Sequence, residues 1–299
     1  MRVLVSGSRG LIGSALVPFL TAEGHGVTRL VRGPARPGGN EIPWAPTEGK
    51  LDPGMLDGHD AVVHLAGENL AAGRWTPERK AELVDSRTKG TRLLAETLAA
   101  LAHQPKVMIC ASAIGYYGDR GDEILTEESS LGHGFLVDLC RQWEAASAPA
   151  VEKGIRVVRL RFGIVLSPVG GALKKMLLPF RLGVGGRLGS GRQYMSWIVL
   201  DDVLAIVLRA LTDDGLAGPV NAVTPNPVTN LDFTKTLGHV LSRPTIFPVP
   251  AFALRTIFGE VADEMLLASS RVQPAKLLAK GFTFSHPELE GALRHVLGR

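Results

Sequence analysis

With only two cysteines, Cys110 and Cys140, in 299 residues, the chain has no disulfide framework, and their spacing is not that of a zinc site. Cys110, inside the run Val107-Met108-Ile109-Cys110, reads as buried apolar filler. No apolar run reaches about 18 residues, so no membrane-spanning helix is expected. The first residues enter an apolar strand directly, without a charged leader and cleavage site, and a soluble, cytoplasmic chain is expected. Blocks of five or more basic residues are also missing. The 33 Lys and Arg against 29 Asp and Glu leave a net charge of only +4, which gives no reason to expect nucleic acid as a partner. Repeats and low-complexity tracts are absent, which removes solenoid and disordered classes. No set of histidines has metal-ligand spacing, and no metal is expected.

What is there is a 45% hydrophobic chain, long enough to bury a sizeable core. Apolar runs of strand length at residues 3–5, 27–31, 61–65, 107–111 and 157–165 alternate with helical patterns at 11–23, 77–101 and 135–152. That alternation predicts an α/β fold, a Rossmann-type doubly wound parallel sheet covered on both faces. Thr76-Pro77 has the chemistry of a helix N-cap and first helical position. Beyond about Ser167 the rhythm changes, with a glycine-rich stretch over 182–191 and short strands expected at 220–223 and 245–249. The division expected is a nucleotide-binding domain over 1–167, to which parts of 200–225 return, and a smaller C-terminal α/β substrate lobe over 168–299.

The sharpest local signal is at the start. Val3-Leu4-Val5 runs into Ser6-Gly7-Ser8-Arg9-Gly10-Leu11-Ile12-Gly13 and then into an apolar helical pattern. A pyrophosphate needs backbone amides at close range and a helix N-terminus behind them, which a strand, glycine turn and helix supply. Gly7 permits the tight turn, Gly10 lets the backbone approach the ligand, and Gly13 lets the helix pack on the strand. NAD binders carry Asp or Glu at the end of the second strand to accept ribose hydroxyls. Here Val31-Arg32 stands in that place, and Arg32 and Arg9 suit a 2′-phosphate, so the cofactor expected is NADP(H).

Further motifs carry a resemblance. Gly-x-x-Gly-x-x-Gly, His64-Leu65-Ala66-Gly67 after the next buried strand, Arg87-Thr88-Lys89-Gly90-Thr91, Tyr117-Gly118 and Trp197-Ile198-Val199-Leu200-Asp201-Asp202-Val203 resemble the extended, epimerase-like branch of the short-chain dehydrogenase/reductase superfamily. Ala66-Gly67-Glu68-Asn69, Arg74-Trp75-Thr76, Ser86-Arg87, Leu178-Pro179-Phe180-Arg181-Leu182-Gly183 and Ser196-Trp197-Ile198 narrow it to the atypical "epimerase family protein" subgroup. The tail, with Gly281-Phe282 and His286-Pro287-Glu288-Leu289, resembles the subgroup's short C-terminal domain, here 248–297. The resemblance implies that Leu65 and Ala66 pass the cofactor's adenosine half and that Gly67, next in the same motif, also belongs to the cofactor site. It also implies that Val165 lies beside the nicotinamide and that Arg87 faces the cofactor where the branch has Asn.

The same resemblance exposes a gap. Typical members use a tyrosine acid/base, a lysine four residues later and a serine on the substrate oxygen. Aligning Trp143-Glu144 with the branch puts Leu136 and Cys140 at the tyrosine and lysine positions, and no Tyr-x-x-x-Lys occurs among Tyr116, Tyr117 and Tyr194. Tyr117 or Tyr116, helped by Ser112 or Arg87, is the replacement expected, with Glu68 and Asp138 as candidate bases; an equal alternative packs one tyrosine under the loop. His64 reads as a buried strand residue. Two functions follow: an NADP-dependent oxidoreductase or epimerase on a small-molecule substrate resembling those of nucleoside-diphosphate-sugar epimerases, or a non-catalytic NADP(H)-sensing protein. Leu93, Leu94, Leu98 and Leu101 fit a dimer face or the sheet equally well, leaving monomer or homodimer open.

Overall fold

In the computed structural model, which describes residues 1–299, the alternating runs become the expected parallel sheet. Strands β1 (Arg2–Ser6), β2 (Gly26–Arg32), β3 (Glu41–Trp44), β4 (Ala61–His64) and β5 (Val107–Ala113) are joined by strands Arg156–Phe162 and Gly218–Ala222. All seven are parallel, in the order β3, β2, β1, β4, β5, Arg156–Phe162, Gly218–Ala222. The order reverses between β1 and β4, the switch point outside which such sheets bind ligands.

Period-two side-chain alternation distributes the core over two faces. Val3 and Val5 point into one cluster with Leu16 and Leu20 of helix α1 (Leu11–Ala22) and with Val203 and Val207 of the helix Leu200–Thr212. Leu4 points the other way, into a cluster with Leu94 and Leu98 of helix α2 (Pro77–Ala100). Leu93 and, just past the end of α2, Leu101 pack against that cluster as well, so Leu93, Leu94, Leu98 and Leu101 all face the sheet. Thr76 caps α2 by accepting from the Arg79 amide, with Pro77 at its first position.

Some segments depart from their sequence reading. The strand expected over 157–165 divides at Gly163, where a Cβ would fall 2.6 Å from the Ser196 carbonyl oxygen and 2.7 Å from Val223. Past that point Ile164–Leu166 leaves the main sheet and pairs with Trp197–Val199. The helix expected over 135–152 divides into α3 (Phe135–Ala145) and Ala148–Glu152, because Pro149 cannot continue the ladder behind it. The strand expected at 245–249 does not form; prolines at 244, 248 and 250 remove donors, and only Val249 makes a bridge, to Leu188.

The residues after 168 build a separate apolar cluster from Leu173, Leu177, Phe180, Trp197, Phe233 and Leu237. Leu289 and Leu293 complete it, while Leu277 and Phe284 reach back into the main sheet's core. No helix is long and apolar enough to cross a membrane.

Candidate functional site

The turn from β1 to α1 is built on backbone contact. Gly7 has φ +67°, and a Cβ there would lie 2.6 Å from the Leu65 carbonyl carbon. A Cβ on Gly13 would run into the Gly7 carbonyl oxygen, so helix and turn touch main chain to main chain. Helix α1 opens at Gly10 without a side-chain cap and with no acid in its first turn. Its first amides and the positive end of its dipole therefore suit an anion. Arg9 and Gly10 are exposed, Leu11 and Ile12 half-buried, and Ser8 and Gly13 buried.

Beneath the turn, Ser6 Oγ accepts from the Leu65 amide at 3.2 Å and lies 2.6 Å from His64 Nδ1. His64 is fully buried, edge-on to Trp44, and its Nε2 has no partner. Burial lowers its pKa to about 4. His64 is thus a neutral strut under the turn, bonded by a side chain rather than by backbone.

At the end of β2, Val31 is buried and Arg32 reaches solvent. The acid that the second strand lacks arrives from another: Glu68, beyond β4, lies 2.9 Å from Arg32 Nη1. Next to this pair Gly33, Pro34, Pro43, Trp44, Ala45 and Lys50 line a shallow cleft of ≈ 340 Å³. Ala66 is half-buried and Gly67 exposed. Arg87 packs against Gly67, where a Cβ on the glycine would meet its guanidinium carbon at 3.4 Å. It donates to the Leu83 and Glu68 carbonyl oxygens at 3.1 and 2.7 Å, and burial lowers its pKa to about 10.

At the carboxyl edge of β5 the structure joins Ser112 and Tyr117 through groups that sequence reasoning had not put in the site. Ser112 Oγ donates to Glu144 Oε1 at 2.7 Å, and Arg161 pairs with both Glu144 oxygens at 2.7 and 2.9 Å. Arg161 also donates to the Tyr117 hydroxyl at 2.9 Å, and that hydroxyl donates to Asn221 Oδ1 at 2.7 Å. Burial works against the Arg161 charge, but hydrogen bonding and charge from Glu144 outweigh it and raise the pKa above its ordinary value. Burial likewise raises the Tyr117 pKa, opposed in part by Arg161 and Asn221. The signal for this network was present: a central strand reading Arg-Val-Val-Arg-Leu-Arg-Phe carries arginines where an apolar run is normal, and a buried arginine needs a partner.

Tyr117 is completely buried, with its hydroxyl held on both sides, and Ser112 is 2% exposed. Tyr116 is different: half-buried, it stacks over the Arg161 guanidinium, whose carbon is 3.4 Å from the ring centroid. Leu136 and Cys140 join a buried apolar cluster with Trp75 and Trp143, against which Leu65, Ala113 and Tyr116 pack. Burial pushes the Cys140 thiol up to about 12, the wrong direction for a nucleophile. Asp138 stands exposed on α3, 3.5 Å from Arg141. Val165 is half-buried, and the Gly170-Gly171 pair closes on the start of α1 from the second lobe; a Cβ on Gly170 would sit 3.0 Å from Leu11.

The later residues seal this edge. Glu264 accepts from the amides of Phe135 and Leu136 at 3.1 and 3.2 Å, capping α3, and Arg74 donates to the carbonyl oxygens of Thr256 and Ile257. No three His, Cys, Asp or Glu side chains are grouped to hold a metal ion.

Comparison with known proteins bears on this geometry. Residues 3–222 match the NAD dependent epimerase/dehydratase family, and residues 249–296 match a domain of unknown function, DUF1731. An epimerase family protein of Mycobacterium bovis is 45% identical over 298 residues, covering 99% of this chain and 98% of its own. The human epimerase family protein SDR39U1 is 38% identical, over 99% of this chain and 100% of its own. A crystal structure of human SDR39U1 with NADPH superposes with a TM-score of 0.92 at 36% identity, covering all of both chains. MoeE5 in complex with UDP-glucuronic acid and NAD, 21% identical with a TM-score of 0.76 over 98% of this chain and 96% of its own, shares the fold.

Proposed function

The chain belongs to the NAD dependent epimerase/dehydratase family, and from that premise we propose that it binds NADP(H) and acts as an oxidoreductase on a small molecule. The observation that carries the cofactor reading is the uncapped start of α1 behind a turn in which Gly7 and Gly13 leave no room for a Cβ. In this reading residues 7–13 cradle the pyrophosphate and Val31 and Arg32 meet the adenosine ribose. Leu65 and Ala66 pass the adenosine half of the cofactor with Gly67 next to them, and Val165 borders the nicotinamide. The SDR39U1 structure with NADPH supports the choice of cofactor. Arg87 supports the loop from below, through its bond to the Glu68 carbonyl. Residues 1–167 with the helix Leu200–Thr212 and the strand Gly218–Ala222 form the cofactor unit, and the cluster built by Leu173, Phe180, Phe233 and Leu293 belongs to the part that closes over the substrate.

When bound, the dinucleotide supplies or accepts a hydride; proton transfer is left to this chain's side chains. With Tyr117 and Ser112 locked in the Glu144 and Arg161 network, Tyr116 is the acid/base candidate at the sheet edge. The Arg161 guanidinium against its ring face holds the Tyr116 ring in place at that edge. NADPH oxidation with a panel of carbonyl substrates tests the assignment. The Tyr116→Phe variant is expected to lose turnover by about 10²-fold or more while still binding NADPH. Full turnover in that variant removes Tyr116 from the chemistry.

A second reading has its own observation. The positions aligned with the usual tyrosine and lysine, Leu136 and Cys140, are buried and non-ionising, as a cofactor-sensing protein without turnover would allow. Tight NADPH binding without consumption across the whole panel would favour it.

A further inference from the structure

Arg32 donates to Glu68 at 2.9 Å across the end of the sheet, yet the two carboxyl and guanidinium ends are not equally anchored. The Arg32 side chain is 75% exposed, a solvent-facing arm on the last residue of β2. Glu68 is fixed at both main-chain ends: its amide donates to Ser86 Oγ at 3.3 Å, and its carbonyl oxygen accepts from buried Arg87 at 2.7 Å. Two residues of α2 thereby root the Glu68 main chain beside the guanidinium assigned above to the 2′-phosphate, within reach of its carboxylate.

We propose that Glu68 is a cofactor-selectivity residue: it parks Arg32 when no phosphate is present and competes with a ribose 2′-phosphate for the same guanidinium. The proposal rests on the NADP(H) reading. Two physical facts give it a sign. An ion pair this exposed is weak, so it yields to an incoming dianion. A carboxylate carried on an anchored main chain next to a bound phosphate repels it, so Glu68 restrains affinity for the phosphorylated cofactor. A ribose 2′-hydroxyl carries no charge and does not feel that repulsion. Because the clamp from Ser86 and Arg87 acts on main-chain atoms, a change of the side chain leaves the loop in place.

The test is fluorescence titration of the full-length protein with NADPH and with NADH. In Glu68→Gln, which keeps the shape and an acceptor but removes the charge, the NADPH Kd is expected to fall about three- to tenfold while that for NADH stays within about twofold. In Arg32→Ala the NADPH preference is expected to collapse, and Glu68→Gln added to Arg32→Ala should give a smaller gain than in the wild type, because the competition for the guanidinium is gone and only the direct repulsion is relieved. An unchanged NADPH to NADH ratio in Glu68→Gln, or weaker NADPH binding, overturns the proposal while Arg32→Ala still reports on the NADP(H) reading. If Arg32→Ala leaves NADPH affinity untouched, that reading falls and the proposal falls with it. Circular dichroism and thermal melts of each variant separate loss of the fold from loss of the contact.

Discussion

Acid should loosen the fold from beneath the glycine turn, through His64. The imidazole is fully buried between Ser6 on β1 and Cys110 on β5, the residues it pairs with in register, with Trp44 against its edge. None of these neighbours carries a charge to balance a protonated ring. Burial lowers the His64 pKa to about 4, whereas an unfolded chain titrates near 6.5. Because the folded value is the lower one, the folded state takes up its proton later. The contribution is whole above about pH 6.5, shrinks by about 1.4 kcal/mol per unit below it, and is gone near pH 4. The shift of about 2.5 units therefore amounts to about 3 kcal/mol, a sizeable share of the 5–15 kcal/mol typical of a domain. Urea melts of the wild type and of His64→Asn at pH 7.5, 6, 5 and 4 isolate this contribution, since Asn does not titrate. The stability difference between the two proteins should move by about 3 kcal/mol against the wild type as pH falls. Parallel curves across the whole range would show that the ring is not desolvated as described.

Glu144→Gln should cost about 3–5 kcal/mol in urea melts, because Arg161 would remain buried with its charge unpaired; a cost below about 1 kcal/mol would mean that solvent reaches the pair. Gly13→Val should abolish NADPH binding in titrations and cost about 1–3 kcal/mol in stability, since the added side chain meets a main-chain carbonyl that cannot move aside. Burial pushes both thiols up to about 12, so Cys110 and Cys140 should resist iodoacetamide at pH 8 in the native protein and react on unfolding, as followed by mass spectrometry.

The features legible in the sequence are those whose cause is local. Val3-Leu4-Val5 meeting the glycines of residues 7–13 reads as strand, turn and helix because each residue's conformational preference points the same way. The parallel sheet followed from buried strands spaced by helices. What joins distant segments was not legible. Glu68 meets Arg32 from 36 positions away, Glu144 meets Arg161 from 17, and Glu264 caps α3 from 129. Each of these acids looks in sequence like an ordinary solvated carboxylate. The tyrosines show the limit clearly: Tyr116 and Tyr117 are adjacent in the chain and equivalent on paper. Only packing sends one hydroxyl into a closed network and leaves the other ring at the edge.

The return of residues 262–293 to earlier segments bears on how the molecule is made. Glu264 caps α3, Val272 pairs with Leu125, Leu277 and Phe284 enter the main sheet's core, and Leu293 completes the second cluster. A nascent chain that has emerged only to residue 260 carries all seven strands of the sheet but lacks these covers. Its partly formed layers would present apolar surface to chaperones, and contacts this distant in sequence are slow to close. Stalling synthesis near that point should leave a product bound by chaperones, with protease-resistant structure gained only after the covering residues leave the ribosome.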